Sequence, residues 1–291
     1  MKNNKFVYTV LTPILVLVAI FMLFPLIYGV GIAFFHYNPL NTHNTFIGLS
    51  NFKRLLTDKV FIKAFWNTVK FVGITVPLNI LISLILAQFI STLKSSAAKG
   101  FFRMMVFLPC VAPIACTAVV WKKGLLIREG GYVNVLLSLF GVKPISWLTD
   151  PSVLMFALVI FTLWADVGYN TIIFSAGMDG IPAEFYEAAD IDGANAFTRF
   201  RKMTIPLLAR TFVFVTMMTL ISHFQMIVQF MIVVNKGGPN NAATVLSSYI
   251  YQQAFVSNNM GYASAVAAVF FVLIMVVTAI QQRVNKVDWG Y

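Results

Sequence analysis

Asp166 and His223 are the side chains of this 291-residue sequence best suited to proton or ligand chemistry inside long apolar stretches. An ionised carboxylate at that depth of a bilayer costs about 2.5–3.5 kcal/mol on insertion scales, so such a residue normally faces a cavity or a partner. Trp164, Asp166, Tyr169 and Asn170 form Trp-x-Asp-x-x-Tyr-Asn. Asp166 and Tyr169 stand at i, i+3 and Asp166 and Asn170 at i, i+4, on adjoining parts of one helical face. An aromatic ring beside carboxylate and amide groups suits recognition of a polyhydroxylated ring, whose C–H face stacks and whose hydroxyls bond. Farther along, Ser222, Gln225 and Gln229 recur at i, i+3, i+7 with His223 and Phe224 alongside, a polar stripe expected to point inward. The plainer reading is that these amides bond neighbouring helices, at about 0.6 kcal/mol each. Asn79 and Ser83, at i, i+4 behind Pro77, read as helix-packing groups next to a kink.

The elements that must carry these residues follow from composition. Hydrophobic residues make up 59% of the chain, charged residues 11%, and the mean hydropathy is +0.82. An ordinary soluble domain has roughly 45–50% apolar and 25% charged residues, which excludes that class. The formal charge of +11 lies on no basic stripe of the kind nucleic acid needs, so it reads as membrane-flanking charge. Spanning a roughly 30 Å hydrocarbon core takes about 20 apolar residues. Six stretches qualify, near Tyr8–Phe35, Val69–Leu93, Arg103–Trp121, Val153–Met178, Thr211–Val234 and Tyr262–Gln281. They are continuous runs, unlike the short alternating strands of a membrane barrel. The basic start, Met1–Lys5, resembles a signal n-region, but the run behind it is about 25 residues long without a small-residue cleavage site, so it reads as the first membrane helix.

Six spans place both termini on one side. The Lys and Arg count divides almost evenly between the two sides, but Lys94–Arg103 is short, basic and free of acids, whereas Asn235–Met260 holds a single Lys. That contrast puts the termini in the cytoplasm. Cys110 and Cys116 share one apolar stretch and read as packing residues. His36 and His43 are loop residues without metal-ligating companions. The chain reads as one membrane domain, 1–291, whose long loops have work to do.

Of these loops, 179–206 is the most strongly marked. Pro182 suits the first helical position, Glu184 and Glu187 favour the positive end of the helix dipole, and Gly193 can take the left-handed conformation that ends a helix. A helix of about ten residues is expected. Phe185 and Ala189 share a face with Ala188 beside them, one aromatic knob among small residues, which reads as a docking surface. The alternative is an amphipathic helix lying on lipid headgroups. Phe197–Lys202 then turns basic and aromatic before Met203-Thr204-Ile205-Pro206 leads into the next span.

Glu187-Ala188-Ala189, three residues, Gly193, nine residues and Met203-Thr204-Ile205-Pro206 resemble the EAA loop of ABC importer permeases. Phe46-Ile47-Gly48-Leu49-Ser50-Asn51-Phe52, Asn67-Thr68, Gly237-Gly238-Pro239, Ala243-Thr244-Val245-Leu246 and Gly261-Tyr262-Ala263-Ser264-Ala265 extend the likeness to the carbohydrate branch, the maltose-permease F type. The resemblance implies an all-α integral membrane fold, six transmembrane helices with a cytoplasmic coupling helix, of the type I permease class. It implies a heterodimer with a second permease, two ATPase subunits and an extracytoplasmic sugar-binding protein, with ATP and magnesium on the ATPases and no cofactor on this chain. Phe185, Glu187, Ala188, Ala189, Asp192 and Gly193 would then seat in an ATPase cleft. Trp164, Asp166, Tyr169, Asn170, His223, Gln225 and Gln229 would line the sugar site, with Trp164 and Tyr169 at the family's aromatic positions and Asp166 and His223 as local departures that select the substrate.

The residues agree in one respect: no Gly-x-x-x-x-Gly-Lys-Ser/Thr phosphate loop exists, so this chain does not hydrolyse ATP by that route. No Lys or Arg lies deep in the lining spans, which argues against a strongly anionic cargo. The residues fit two other classes less well. An ion-coupled secondary transporter would show inverted repeats and broken helices, and no repeat is visible. An intramembrane enzyme using Asp166 or His223 lacks the His-Glu-x-x-His of a metalloprotease and the second aspartate of an aspartyl type.

Overall fold

A computed structural model describes residues 4–40, 44–234 and 237–284. Lys2, His43 and Lys286 lie outside the described residues. The chain divides into two compact units, Met1–Ile62 with Leu246–Leu273, and Lys63–Val245 with Ile274–Tyr291.

In the first unit, α1 (Asn4–Val18), a π turn (Ala19–Leu23) and α2 (Phe24–Ile32) form an apolar rod over Tyr8–Ile32 with no residue of its most apolar window buried. The π turn precedes Pro25, whose missing N–H frees a carbonyl of the preceding turn. The rod stops short of the expected Phe35, because Phe35–His36 (β1) pairs antiparallel with Thr45–Phe46 (β2). Buried Asn51 on α3 (Ser50–Leu55) ties this hairpin down, its Nδ2 donating to the carbonyls of Ala33 at 2.8 Å and Phe35 at 3.1 Å. Asp58 caps the helix α4 (Lys59–Thr92), accepting from the amides of Val60 and Phe61. The unit is completed by α14 (Leu246–Tyr251) and the first part of α15 (Met260–Val284). At Gly261 a Cβ would sit 2.1 Å from the Phe35 carbonyl, so only glycine lets α15 start against the hairpin.

The second unit holds the rest of α4, then α5 (Ser96–Val111) and α6 (Ile114–Val120), bent 89° from each other. The expected third span, Arg103–Trp121, is therefore bent within its length. Pro113 forces Ala112 into an extended conformation, ψ 134°, and ends α5 there. A π turn (Trp121–Leu125) and α7 (Tyr132–Ser138) precede α8 (Pro151–Asp179), which Asp150 caps through the Ser152 amide. α5 packs along α8, closest at Gly168, where a Cβ would stand 2.1 Å from the Val106 carbonyl. Next come α9 (Ala183–Ile191), α10 (Ala196–Arg199) and α11 (Ile205–Leu207). The fifth span is α12 (Ala209–Gln225) and α13 (Val228–Val233), separated by an extended Met226 and an irregular Ile227. Among the described residues, five spans are long and apolar enough to cross a membrane, or six with the bent α5–α6 pair counted as one.

Candidate functional site

The buried polar residues of the second unit converge from α4, α8 and α12. Thr75, Asn79 and Ser83 lie one turn apart along α4, all fully buried. The His223 ring, on α12, bridges α4 and α8: Nδ1 stands 2.9 Å from Thr75 Oγ1 and Nε2 3.0 Å from Asp166 Oδ2. The Thr75 hydroxyl also lies 2.8 Å from the Phe71 carbonyl. The hydrogen bond between His223 Nε2 and Asp166 Oδ2 gives the carboxyl a direct partner among the helices.

Asn79 Nδ2 also donates to Asp166 Oδ2, at 3.4 Å. Asn170 Nδ2 donates to Asn79 Oδ1 and Thr219 Oγ1, both at 2.7 Å, and Ser83 Oγ reaches the Val167 carbonyl at 3.0 Å. The cluster thus interlocks three helices through one continuous network. The Asp166 side chain remains 28% exposed, whereas that of His223 is fully buried.

The structure sorts the residues expected to line a site. Asp166, Asn170 and His223 share the network. Tyr169 is 48% exposed, on the same side of α8 as Asp166. Trp164 departs from them, because residues two apart on a helix point about 200° apart. It joins Trp121 and Phe161 instead, with ring centroids 5.5 and 6.3 Å away, beside a groove of about 490 Å³ lined by Ile82, Met105 and Pro109. Gln225 is exposed at the end of α12, while Gln229 is buried on α13. The break at Met226–Ile227 takes Gln229 off the expected stripe. Thr75 and Thr219 were not singled out, although each stands four residues from a residue that was.

The loop after α8 is a capped helix-turn-helix. Pro182 is the N-cap, with ψ 139°, one position earlier than expected, and α9 has nine residues. Gly193, φ +72°, closes it in a Schellman motif: the Ala194 amide donates to the Ala189 carbonyl and the Gly193 amide to that of Asp190. Asn195 Oδ1 then accepts from the Thr198 amide to start α10, and Arg199 pairs with Asp190. Ala189 is 8% exposed and Tyr186 meets Thr204, so these two seat α9 on its own chain. The outward surface is Phe185, Glu187, Ala188 and Asp192 together with Ile191, which is 87% exposed and was not singled out. Ala189 therefore stands behind that surface rather than within it.

Apolar helices enclosing a polar network, with a doubly capped helix pair between two spans, define a multi-pass membrane transport component. The chain belongs to the binding-protein-dependent transport system inner membrane components, the model of which matches residues 79–286. It is 30% identical to the arabinooligosaccharides transport system permease protein AraP of Bacillus subtilis (strain 168), over 96% of this chain and 88% of that protein. It is 33% identical to the lactose transport system permease protein LacF of Rhizobium radiobacter, over 92% and 90%. In fold it matches a chain of a bacterial alginate ABC transporter crystallised with an alginate pentasaccharide-bound periplasmic protein, at a TM-score of 0.83 and 24% identity, covering 98% and 95%. The chain has the type I permease fold of ABC importers. Helix interruptions, expected of a secondary transporter, occur here at α5–α6 and α12–α13, so that feature does not separate the two classes.

Proposed function

We propose that this permease passes a sugar or oligosaccharide through a pathway at the α8–α12 cluster, and that α9 couples it to an ATPase. The names of AraP and LacF support the cargo class. The observation that carries the coupling is α9 itself, closed at Gly193 and seated on its own chain through Ala189 and Tyr186, whose outer face leaves an aromatic knob and small residues for another protein. In this reading the termini and α9 are cytoplasmic. The partners are a second permease, two ATPases holding ATP and magnesium, and an extracytoplasmic sugar-binding protein, the last supported by the periplasmic protein in the alginate complex.

Asp166, Tyr169 and Gln225 are the polar groups that reach out of the helices to meet cargo hydroxyls. Trp164, on the opposite face of α8 with Trp121 and Phe161, lies outside this group. Buried Asn170, His223 and Gln229 act as positioning residues. ATPase closure pulls on α9, and because α9 follows directly from α8, the motion reaches the helix that carries Asp166.

Gly193→Pro tests this, since proline cannot adopt φ +72°. With Glu187→Ala, it is expected to abolish uptake while membrane insertion stays normal. Normal uptake by the double variant would end the coupling assignment.

A further inference from the structure

The segment 126–150 leaves one apolar helix and enters the next, and it contains α7. At spacings i, i+3, i+4, i+7 and i+8, Tyr132, Val135, Leu136, Leu139 and Phe140 form one face. Their exposures are 67, 50, 61, 76 and 83%. Gly141, φ +74°, ends the helix in a Schellman motif, with the Val142 amide donating to the Leu137 carbonyl and the Gly141 amide to that of Ser138.

The orientation of this face is fixed from behind. Buried Asn134 donates to the carbonyls of Ile127, Arg128 and Ile145, and its Oδ1 accepts from the Ile145 amide and from Trp147 Nε1 at 3.0 Å. A five-residue apolar face held outward in this way is larger than the scattered exposed side chains of an ordinary surface. Its surroundings are basic: Lys122, Lys123, Arg128 and Lys143 bracket α7 at both ends, with Glu129 the one acid of the segment before Asp150. Arg128 and Lys143 are exposed and in no ion pair among the described residues.

We propose that α7 is an interfacial anchor. It lies along the bilayer surface with the Phe140 face at the acyl boundary, and Arg128 and Lys143 meet the phosphates of anionic lipids. A partner protein would need acidic groups around an apolar groove; an anionic bilayer supplies both from a single surface, immediately next to the spans.

The test uses the assembled transporter in nanodiscs containing phosphatidylglycerol, with Cys110→Ala and Cys116→Ala and a single spin-labelled cysteine at Phe140 or at Ser138, on the opposite side of α7. Phe140→Cys should collide several-fold more with oxygen, and less with a water-soluble nickel chelate, than Ser138→Cys. Nickel access at position 140 would place the face in water and overturn the proposal. Protection from both quenchers would place it under protein and overturn it equally. Leu136→Cys gives the same reading should the Phe140 variant not assemble, and loss of the contrast in zwitterionic lipid would confirm the role of the cations.

Discussion

Two carboxylates in this protein have opposite fates. Asp58, in the first unit, uses both oxygens: Oδ1 accepts from the Val60 and Phe61 amides, and Oδ2 from the hydroxyls of Tyr249 at 2.6 Å and Tyr262 at 2.5 Å. Burial opposes its charge, but the tyrosine and amide hydrogen bonds outweigh that, and its pKa falls below the ordinary value. Burial, together with the adjoining Asp58, pushes the Tyr249 phenol up. Arg54 lies over the Tyr262 ring, 4.3 Å from its centroid. Asp166, in the second unit, uses one oxygen. Oδ2 faces His223 and Asn79, and Oδ1 has no partner among the described residues. A carboxylate with every acceptor occupied fastens helices together, whereas one with an oxygen in reserve, on a partly exposed side chain, can still meet a ligand.

The largest expected effect that would sharpen this contrast is on His223. His223→Ala leaves Asp166 and Thr75 without their bridge and should destabilise the second unit by about 3 kcal/mol or more, read from thermal unfolding of the purified transporter. Asp58→Ala should follow at about 2 kcal/mol through loss of the cap and two charge-assisted bonds, with the sugar concentration for half-maximal uptake unchanged in the folded fraction. Asp166→Asn should do the reverse, changing stability little and weakening sugar-stimulated ATPase activity about tenfold in apparent affinity, equivalent to about 1.4 kcal/mol. If Asp58→Ala shifted sugar affinity and Asp166→Asn did not, the division between fastening and binding would fail.

The smallest effect is that of pH. Because the folded pKa of Asp58 is depressed, its contribution is present at neutral pH and is lost as pH falls below about 4, where the unfolded carboxyl is already taking up protons. Hydrogen exchange of the Val60 and Phe61 amides should rise through that window in the native protein, with little added change in Asp58→Asn.

The sequence displayed some of this and concealed the rest for identifiable reasons. Pro182 and Gly193 are local signals that act on their own neighbours, so the ends of α9 were legible to within one residue. Trp164 was grouped with Asp166 by proximity in sequence, although two residues turn a helix by about 200°. Gln229 was misplaced because nothing at Met226–Ile227, neither proline nor glycine, announces the break in the fifth span. The bend of the third span did have its marks, Pro109 and Pro113, and α7 had its own in the apolar period from Tyr132 to Phe140 and in Gly141. The contacts of Asp58 with Tyr249 and Tyr262 join residues about 200 positions apart and carry no local pattern, so only tertiary structure reveals them.

The central claim, that α9 hands an ATPase's motion to the helix carrying Asp166, is tested most directly by placing a photoreactive residue at Ala188 and irradiating intact membranes. The expected product is a covalent adduct between this chain and a protein containing a Walker phosphate loop, lost when Gly193→Pro disorders the cap. Adducts to lipid alone would contradict the claim and make α9 the headgroup-bound helix that the sequence also allowed.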